Sequence, residues 1–567
     1  MYDEQMLKSL NVLQPFKYWA KKPLKIALDY LSKYASNKKV LLDPFAGSGI
    51  FPLAGLLQGM KVIYNDLNPF GLFLARNAII PIDPQILQQA IDEVLQRPLP
   101  FDLKMNDGQT VIPKGTPIGE TIQWFYRSRC SLSLDAGKRK CNAETIADYY
   151  IWDTTYIIPQ EIGDAYAQKK LEKGDRRYKI FLETICNREE RIVDGQVIKV
   201  YTYTRKDLSE KWKEAFNKDP QLWMQRTSRR KQEAAAVNQI SANLIRIKIA
   251  KRQNRAPILK KIFCPIHQAQ LLPLDEDDWQ KIAQIESIIY PFPELLPNQP
   301  LIYKRNGQKY PFWQYRKFQT FVKEPLSTIN DTDWQDRLPR FKHYFTKRNL
   351  LALSLLFWSI LQIQDVQIRE QMYLLFVANL HMVAKFDRKG PGDAWALGYY
   401  AAQDDFAENN VLLQFMKGWH AIKKVKTSLY SAFRSTPDGF NLDETWNPKE
   451  FLLNINKSKM KNILWLRKNA KDLKAAIQKR IIDVIFTDPP YKGEDHSVQY
   501  YELSSFFISW LTLDQKWKER YGDMDWWKDE IIDNKRQGKS KEDYLKSLSD
   551  VFLTLDEITK NDAVWII

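Results

Sequence analysis

Apolar residues gather in two short, regularly punctuated blocks, separated by a long stretch of different character. In the first block Val40-Leu41-Leu42 is an apolar run of strand length, followed by the turn Asp43-Pro-Phe-Ala-Gly-Ser-Gly49. Ile50 to Gly59 predicts a helix stopped by glycine. Lys61 to Tyr64 reads as a second strand, and Asn65-Asp66-Leu67-Asn68-Pro69 caps a helix running to Ile79. The rhythm returns near residue 462, with strands at Ile463–Leu466 and Ile482–Phe486 and helices at Glu502–Leu513 and Tyr544–Thr559. Ala563 to Ile567 is the last apolar strand. The strand spans are therefore 39–43, 61–65, 462–466, 482–487 and 562–567. Strands alternating with helices predict an α/β fold built on a parallel, doubly wound sheet.

The stretch between the blocks follows other rules. Trp223 to Arg252 contains neither Pro nor Gly and reads as helical, with Arg226, Arg229, Arg230 and Lys231 along a basic flank. Residues 286–316 are rich in Pro and aromatics and read as irregular, while 346–386 hold two apolar helices suited to core packing. The expected organisation is a first half of one domain at 1–80, a mostly helical insertion at 81–455, and the second half at 456–567.

Composition narrows the class. With 44% apolar and 13% aromatic residues, global disorder is excluded. Formal charge is +17, and residues 201–260 alone carry 15 Lys/Arg against 5 Asp/Glu. Such a surplus suits a polyanion, nucleic acid before membrane. Four cysteines make no disulfide framework and indicate a reducing compartment. The opening residues lack the apolar core of a secretory leader, and Leu350–Ile363 falls short of the ~18 residues that span a bilayer. The expectation is a cytoplasmic protein without membrane contact.

Two motifs carry chemistry. In the loop Asp43–Gly49 a strand meets a helix, and glycines there let backbone N–H groups approach a ligand. Asp66 follows Gly49 by 17 residues, at the end of the second strand, where a nucleoside cofactor needs an acid for its ribose hydroxyls. The loop lacks the third glycine of a dinucleotide site. The second motif is Thr487-Asp488-Pro489-Pro490-Tyr491, directly after a strand. Two prolines stiffen the turn, so Asp488 and the Pro489 carbonyl can accept hydrogen bonds from one exocyclic amine and aim its lone pair. Tyr491 offers a face on which an extruded base can stack.

On these residues the chain resembles the S-adenosylmethionine-dependent amino-group DNA methyltransferases, and within them the large adenine-specific DUF1156-type methylases of prokaryotic methylation and defence systems. Phe16-Lys-Tyr-Trp-Ala-Lys-Lys22-Pro23 lies where that family's motif X precedes motif I, while Leu464 to Ala470 and Tyr501 to Trp510 are also similar. The resemblance is firm over 12–80 and 460–567 and loose over 340–385. It implies a class I methyltransferase sheet split by the insertion, with DNA as partner and S-adenosyl-L-methionine as cofactor. It also implies that Phe45, Gly47 and Gly49 shape the methionine pocket beside Asp43, that Asp66 holds the ribose, and that Lys22-Pro23 helps close the site. Asn469 stands where many relatives hold an acid near the cofactor's adenine. Asp488, Pro489, Pro490 and Tyr491 would bind the target base, with adenine N6 favoured over cytosine N4. Target recognition would fall in the insertion, with the basic stretch 201–260, including Trp212 and Trp223, on the phosphates.

Rival readings are a guanine-N2 RNA methyltransferase, which shares Thr-Asp-Pro-Pro-Tyr, and a non-catalytic DNA-binding relative. Relatives are described as carrying a zinc ribbon, yet no Cys-x-x-Cys exists here. Cys264-Pro-Ile-His267 with Cys130 and Cys141 offers four possible ligands, but dispersed cysteines are more often packing residues, so no metal is expected. The family's sheet has seven strands and five are counted here. The expectation is therefore that C-terminal strands are missing, supplied by a further segment or a companion subunit.

Overall fold

The structure is a computed structural model that describes residues 22–567 apart from 135–138, 154, 194–195, 220–236, 238, 242, 245–246, 248–250, 253–255, 306–307, 312–339, 387–405, 435–441, 456–461, 491–499 and 535–537. Its central sheet has six strands, β1 (Val40–Asp43), β2 (Lys61–Asn65), β3 (Glu444–Thr445), β4 (Ile463–Leu466), β5 (Ile482–Phe486) and β6 (Thr559–Ile566). They run in the order β3-β4-β2-β1-β5-β6, and every pairing is parallel. Leu41 sits opposite Val62 on one side and Val484 on the other, so residues far apart in sequence share one layer. Parallel strands are covered on both faces and therefore read as continuous apolar runs. Leu41, Leu42, Val62, Ile63 and Ile485 are all fully buried, at roughly 1.5–3 kcal/mol each.

Helix α1 (Leu24–Tyr34) precedes β1, α2 (Ile50–Leu57) joins β1 to β2, and α3 (Pro69–Ile79) follows β2. Asn68 caps α3 through the Phe70 N–H (3.0 Å), while its amide reaches Ser504 on α4 (Tyr500–Leu511) at 2.8 Å. Helix α5 (Lys541–Ile558) leads straight into β6. The sequence pattern thus located five of the six strands. The sixth, Glu444–Thr445, is polar and two residues long and carries no apolar run; it lies in sequence within 81–455. Helix α2 stops at Leu57, and Gly59 follows with a positive φ of 75°.

Besides its helices, the insertion carries two antiparallel sheets that the reading as mostly helical does not include. One antiparallel sheet joins Gln268–Pro273, Ala256–Cys264, Glu144–Asp153 and Phe406–Asn409, with Arg127–Arg129 paired to Glu144–Asp153. A second joins Lys251–Arg252, Tyr156–Pro159, Gln196–Tyr203 and Asn187–Val193 around a core of its own. These strands were missed because their charged residues, Lys260 and Lys261 among them, break the apolar alternation. The two apolar helices are Lys347–Leu361 and Val366–Ala378, and they share the main core with α3 and α4. Among the described residues no helix is long and apolar enough to cross a membrane.

Candidate cofactor and base-binding cleft

The cleft forms at the carboxyl edge of the parallel sheet, where the chain leaves β1 toward β2 on one side and β5 lies on the other. That reversal of strand order opens a crevice in doubly wound sheets. Its space of about 940 Å³, counted with the open solvent at its mouth, lies between the β1–α2 loop, the β2 terminus, Lys468–Ala470, Asp488, Pro490 and a wall from Trp526 to Ile531.

Each acid has a distinct setting. Asp43, at the end of β1, is buried, and its Oδ1 accepts hydrogen bonds from the Phe45 N–H (3.1 Å) and the Thr487 hydroxyl (2.9 Å). That second bond ties the ends of β1 and β5 together. Burial holds the Asp43 carboxyl well above the ordinary range, against the opposing pull of those two donors. Asp66 lines the cleft and accepts from the Gly47 N–H (2.6 Å) and the Asn68 N–H (2.7 Å). Burial pushes its pKa up to about 6 despite both donors. Asp488 stands at the rim, paired with the Lys22 ammonium at 2.9 Å, and both side chains are partly exposed.

The loop geometry follows from its glycines. Gly47 has φ 49° and its carbonyl accepts from the buried Tyr64 hydroxyl at 2.6 Å. Gly49 has φ 79°, and a Cβ there would lie 2.8 Å from the Ala75 Cβ on α3. Its role is close helix packing, and it does not line the cleft. Pro23 likewise stands back from the cleft as the N-cap of α1, with Lys22 alone of that pair on the wall. Phe45 lines the cleft, as does Asn469, whose side chain caps the turn at Ala470–Asp472 through the Lys471 N–H (3.3 Å). The Asp-Pro-Pro turn is anchored from behind by the Tyr544 hydroxyl, which donates to the Pro490 carbonyl at 2.7 Å.

So the structure brings Lys22, Asp43, Phe45, Gly47, Asp66, Asn469, Asp488 and Pro490 to one cleft. Tyr491, Arg226, Arg229, Arg230, Lys231 and Trp223 lie outside the described residues. Trp212, taken from sequence as part of a DNA-contacting stretch, packs inward against Phe216 on the core of the second antiparallel sheet. Lys260 from the same basic stretch is fully buried, donating to Asp275 (2.8 Å), Asp278 (2.5 Å) and the Arg129 carbonyl (2.9 Å).

Against known proteins, the sequence is 29% identical over 110 residues to the Type II methyltransferase M.MvaI of Kocuria varians. The match supports a methyltransferase relationship. It spans 19% of this chain and 24% of that protein's length. No family model and no solved structure matches.

Several cleft residues escaped the sequence reading. Asn65, fully buried just behind the cleft wall, ties the loop after β1 to the loop after β4. Its amide donates to the Pro44 and Lys468 carbonyls (3.0 and 3.2 Å), and its Oδ1 accepts from the Lys468 N–H (3.1 Å). Its position beside Asp66 at a strand end was the available signal. Trp526, Asp529, Glu530 and Ile531 build the opposite wall, and the two tryptophans Trp526 and Trp527 inside an otherwise polar run were the clue there. Expecting the cysteines to be dispersed holds for Cys186, buried in the second core, and fails for the other three, which converge with His267.

Proposed function

We propose that the protein is a DNA methyltransferase that transfers a methyl group from S-adenosylmethionine to the N6 amine of an adenine extruded from its duplex. The observation that carries this reading is one cleft whose floor holds Asp43 and Asp66 and whose rim holds Asp488 on the stiff Pro489-Pro490 turn. The donor set suits a nucleoside sulfonium. Asp66 offers carboxylate oxygens to ribose hydroxyls, Phe45 and Trp526 supply flat apolar walls, and Gly47 exposes backbone without a side chain. When bound, that cofactor supplies an electrophilic methyl on a sulfonium.

The chain's own residues supply position and polarisation. The Asp488 carboxylate and the Pro489 carbonyl accept the two N–H bonds of the target amine. This draws the nitrogen lone pair out of conjugation with the base and directs it into the cleft. The Lys22 ammonium pairs with the Asp488 carboxylate at 2.9 Å and holds it at the rim until a base arrives. Tyr544 and Thr487 fix the turn from both ends, so its acceptors are already oriented. Proximity and orientation then carry the rate, and the product's extra proton leaves to solvent. The insertion, with its basic stretch at 201–260, would hold the DNA backbone.

The test incubates the protein with S-adenosylmethionine and unmethylated DNA, digests the DNA to nucleosides and detects methylated species by mass. N6-methyladenine is the expected product. N4-methylcytosine would keep the fold and correct the base, N2-methylguanosine in an RNA control would select the RNA reading, and no product on either polymer would refute transfer.

A further inference from the structure

Away from the cleft, the first antiparallel sheet of the insertion gathers four side chains from three separate stretches of chain. Cys130 follows the strand Arg127–Arg129, and Cys141 precedes Glu144–Asp153. The Cys130 N–H donates to the Ala143 carbonyl (3.1 Å) and the Asn142 N–H to the Cys130 carbonyl (3.0 Å), closing this loop on itself. Cys264 ends the strand Ala256–Cys264, pairs in register with Gln268, and leaves His267 in the tight turn between them. Because Ala256–Cys264 pairs with Glu144–Asp153, which also pairs with Arg127–Arg129, the sheet sets the two turns side by side.

Their ligand atoms face one another. Cys130 Sγ lies 3.5 Å and Cys264 Sγ 3.6 Å from His267 Nδ1, and Cys141 Sγ lies 3.7 Å from Cys264 Sγ. All four atoms fall within 4.8 Å of one another. A tetrahedral zinc ion with its usual bond lengths separates two sulfurs by about 3.8 Å and a sulfur from a nitrogen by about 3.6 Å. A disulfide would need its sulfurs at about 2.05 Å. The spacing is that of a shared ion.

The two turns also share a backbone feature. Among the described residues only Asn142 (φ 49°) and Gln268 (φ 59°) have positive φ without being glycine. Each directly follows one of the four, Cys141 and His267. Left-handed backbone at a non-glycine residue is unfavourable and persists where surrounding constraints over-determine it. A metal gripping the preceding side chain is such a constraint.

We propose that Cys130, Cys141, Cys264 and His267 bind a structural zinc ion in a closed Cys₃His site. Binding replaces three thiol protons, released to solvent, with three zinc–thiolate bonds, while His267 contributes the neutral lone pair of Nδ1. All four positions are filled by protein, so the ion has no vacancy for water or substrate and its role is a cross-link. It fastens segment 127–153 to segment 256–273. Cys130 and Cys264 belong to the main core, so the link ties this sheet to the same core that carries the cleft. The set contains no paired Cys-x-x-Cys; its half-sites are Cys264-x-x-His267 and two cysteines eleven positions apart.

The test measures zinc and iron by plasma mass spectrometry in the full chain, expressed with zinc in the medium. About one zinc per chain is expected in the wild type and in Cys186→Ser, with a roughly tenfold fall in Cys264→Ser. Should that variant fail to fold, the wild type decides alone. Mercurial titration should release zinc to a colorimetric chelator in step with thiol modification, and cobalt exchanged for zinc should give thiolate-to-cobalt charge-transfer absorption. A wild type free of zinc, iron in its place, or a Cys141–Cys264 disulfide would each overturn the assignment.

Discussion

Asp66→Ala is the most informative single change, because it tests a structural and a binding role of one carboxylate together. Its oxygens accept the Gly47 and Asn68 N–H groups at 2.6 and 2.7 Å, holding the β1–α2 loop against the start of α3. Hydrogen bonds to a charged acceptor contribute ~1.5–3 kcal/mol each, but the group borders the cleft and water can replace it, so the low end applies. A loss of about 3 kcal/mol in stability is expected, read by urea denaturation. If the same carboxylate also accepts ribose hydroxyls, its removal costs another ~1–3 kcal/mol of cofactor binding, a roughly 5- to 150-fold rise in Kd. The acid's pKa of about 6 adds a signature that a purely structural role would not give. Below pH 6 the free protein holds a proton that cofactor binding must expel, so wild-type affinity should fall by up to about tenfold per pH unit. Above pH 6 it should be flat. Asp66→Asn keeps one acceptor oxygen and cannot titrate, so its affinity should be weak and independent of pH. Calorimetric titration with S-adenosylhomocysteine from pH 5 to 8 measures all three proteins. A wild-type affinity that ignores pH, together with an unchanged Kd in Asp66→Ala, would remove Asp66 from the binding site.

Other consequences can be checked separately. Asp488→Ala should abolish methyl transfer while leaving cofactor affinity within a few-fold, since Asp488 sits at the rim; retained turnover would refute its role. Gly49→Ala should destabilise the fold by ~2–5 kcal/mol, combining left-handed backbone with a Cβ driven into Ala75, and a denaturation midpoint equal to wild type would refute the packing argument. Neutralising Arg226, Arg229, Arg230 and Lys231 should weaken binding to all DNA sequences alike and reduce the log–log salt slope by about 0.9 for each phosphate no longer neutralised; weakening confined to one sequence would mean base readout instead. Lys426 is buried, and burial pushes its amine down to about 7. Between that value and its ordinary 10.5 the unfolded chain binds the extra proton, so stability rises with pH over this window. The stability of wild type relative to Lys426→Met should therefore rise by about 1.4 kcal/mol per pH unit, and parallel curves would refute it.

The two halves of the central sheet were legible because parallel strands buried on both faces must be apolar throughout. Val40-Leu41-Leu42 and Val484-Ile485-Phe486 announce themselves for that reason. The carboxyl-edge acids were legible too, since an acid that ends an apolar run has few purely structural uses. Glu444–Thr445 was not, because an edge strand of two residues needs only one buried face. Nor were the insertion's sheets, whose strands bury charge in pairs such as Lys260 with Asp275 and Asp278. That arrangement satisfies the interior with hydrogen bonds and erases the apolar alternation by which strands are recognised. The Cys₃His cluster was invisible for a third reason: 123 positions separate Cys141 from Cys264, and only strand pairing brings them within 3.7 Å.

The insertion is coupled to the cleft by buried charge as well as by shared core. Arg76 on α3 is enclosed by Glu370 of the helix Val366–Ala378 (2.5 Å), by Glu444 on β3 (2.5 Å) and by the Tyr521 hydroxyl (3.1 Å). Glu370 in turn accepts from Arg520 (2.8 Å) and from Tyr521 (2.7 Å), and Trp465 on β4 donates to Glu444 (2.8 Å). Breaking a buried pair strands a charge at ~3–5 kcal/mol, whereas retaining it adds little net stability. Such a network therefore works less as glue than as a register. It admits one placement of the helix Val366–Ala378 against α3, whose capped N-terminus adjoins Asp66. Lys426, from the long helix Val411–Arg434, closes the other end of α3 by donating to the Asn77 and Ile80 carbonyls at 2.5 and 2.8 Å. Helix α3 thus has the cleft at its start and the insertion's Lys426 amine at its end. A displacement of the insertion would therefore have a fully buried element through which to reach the acids of the cleft.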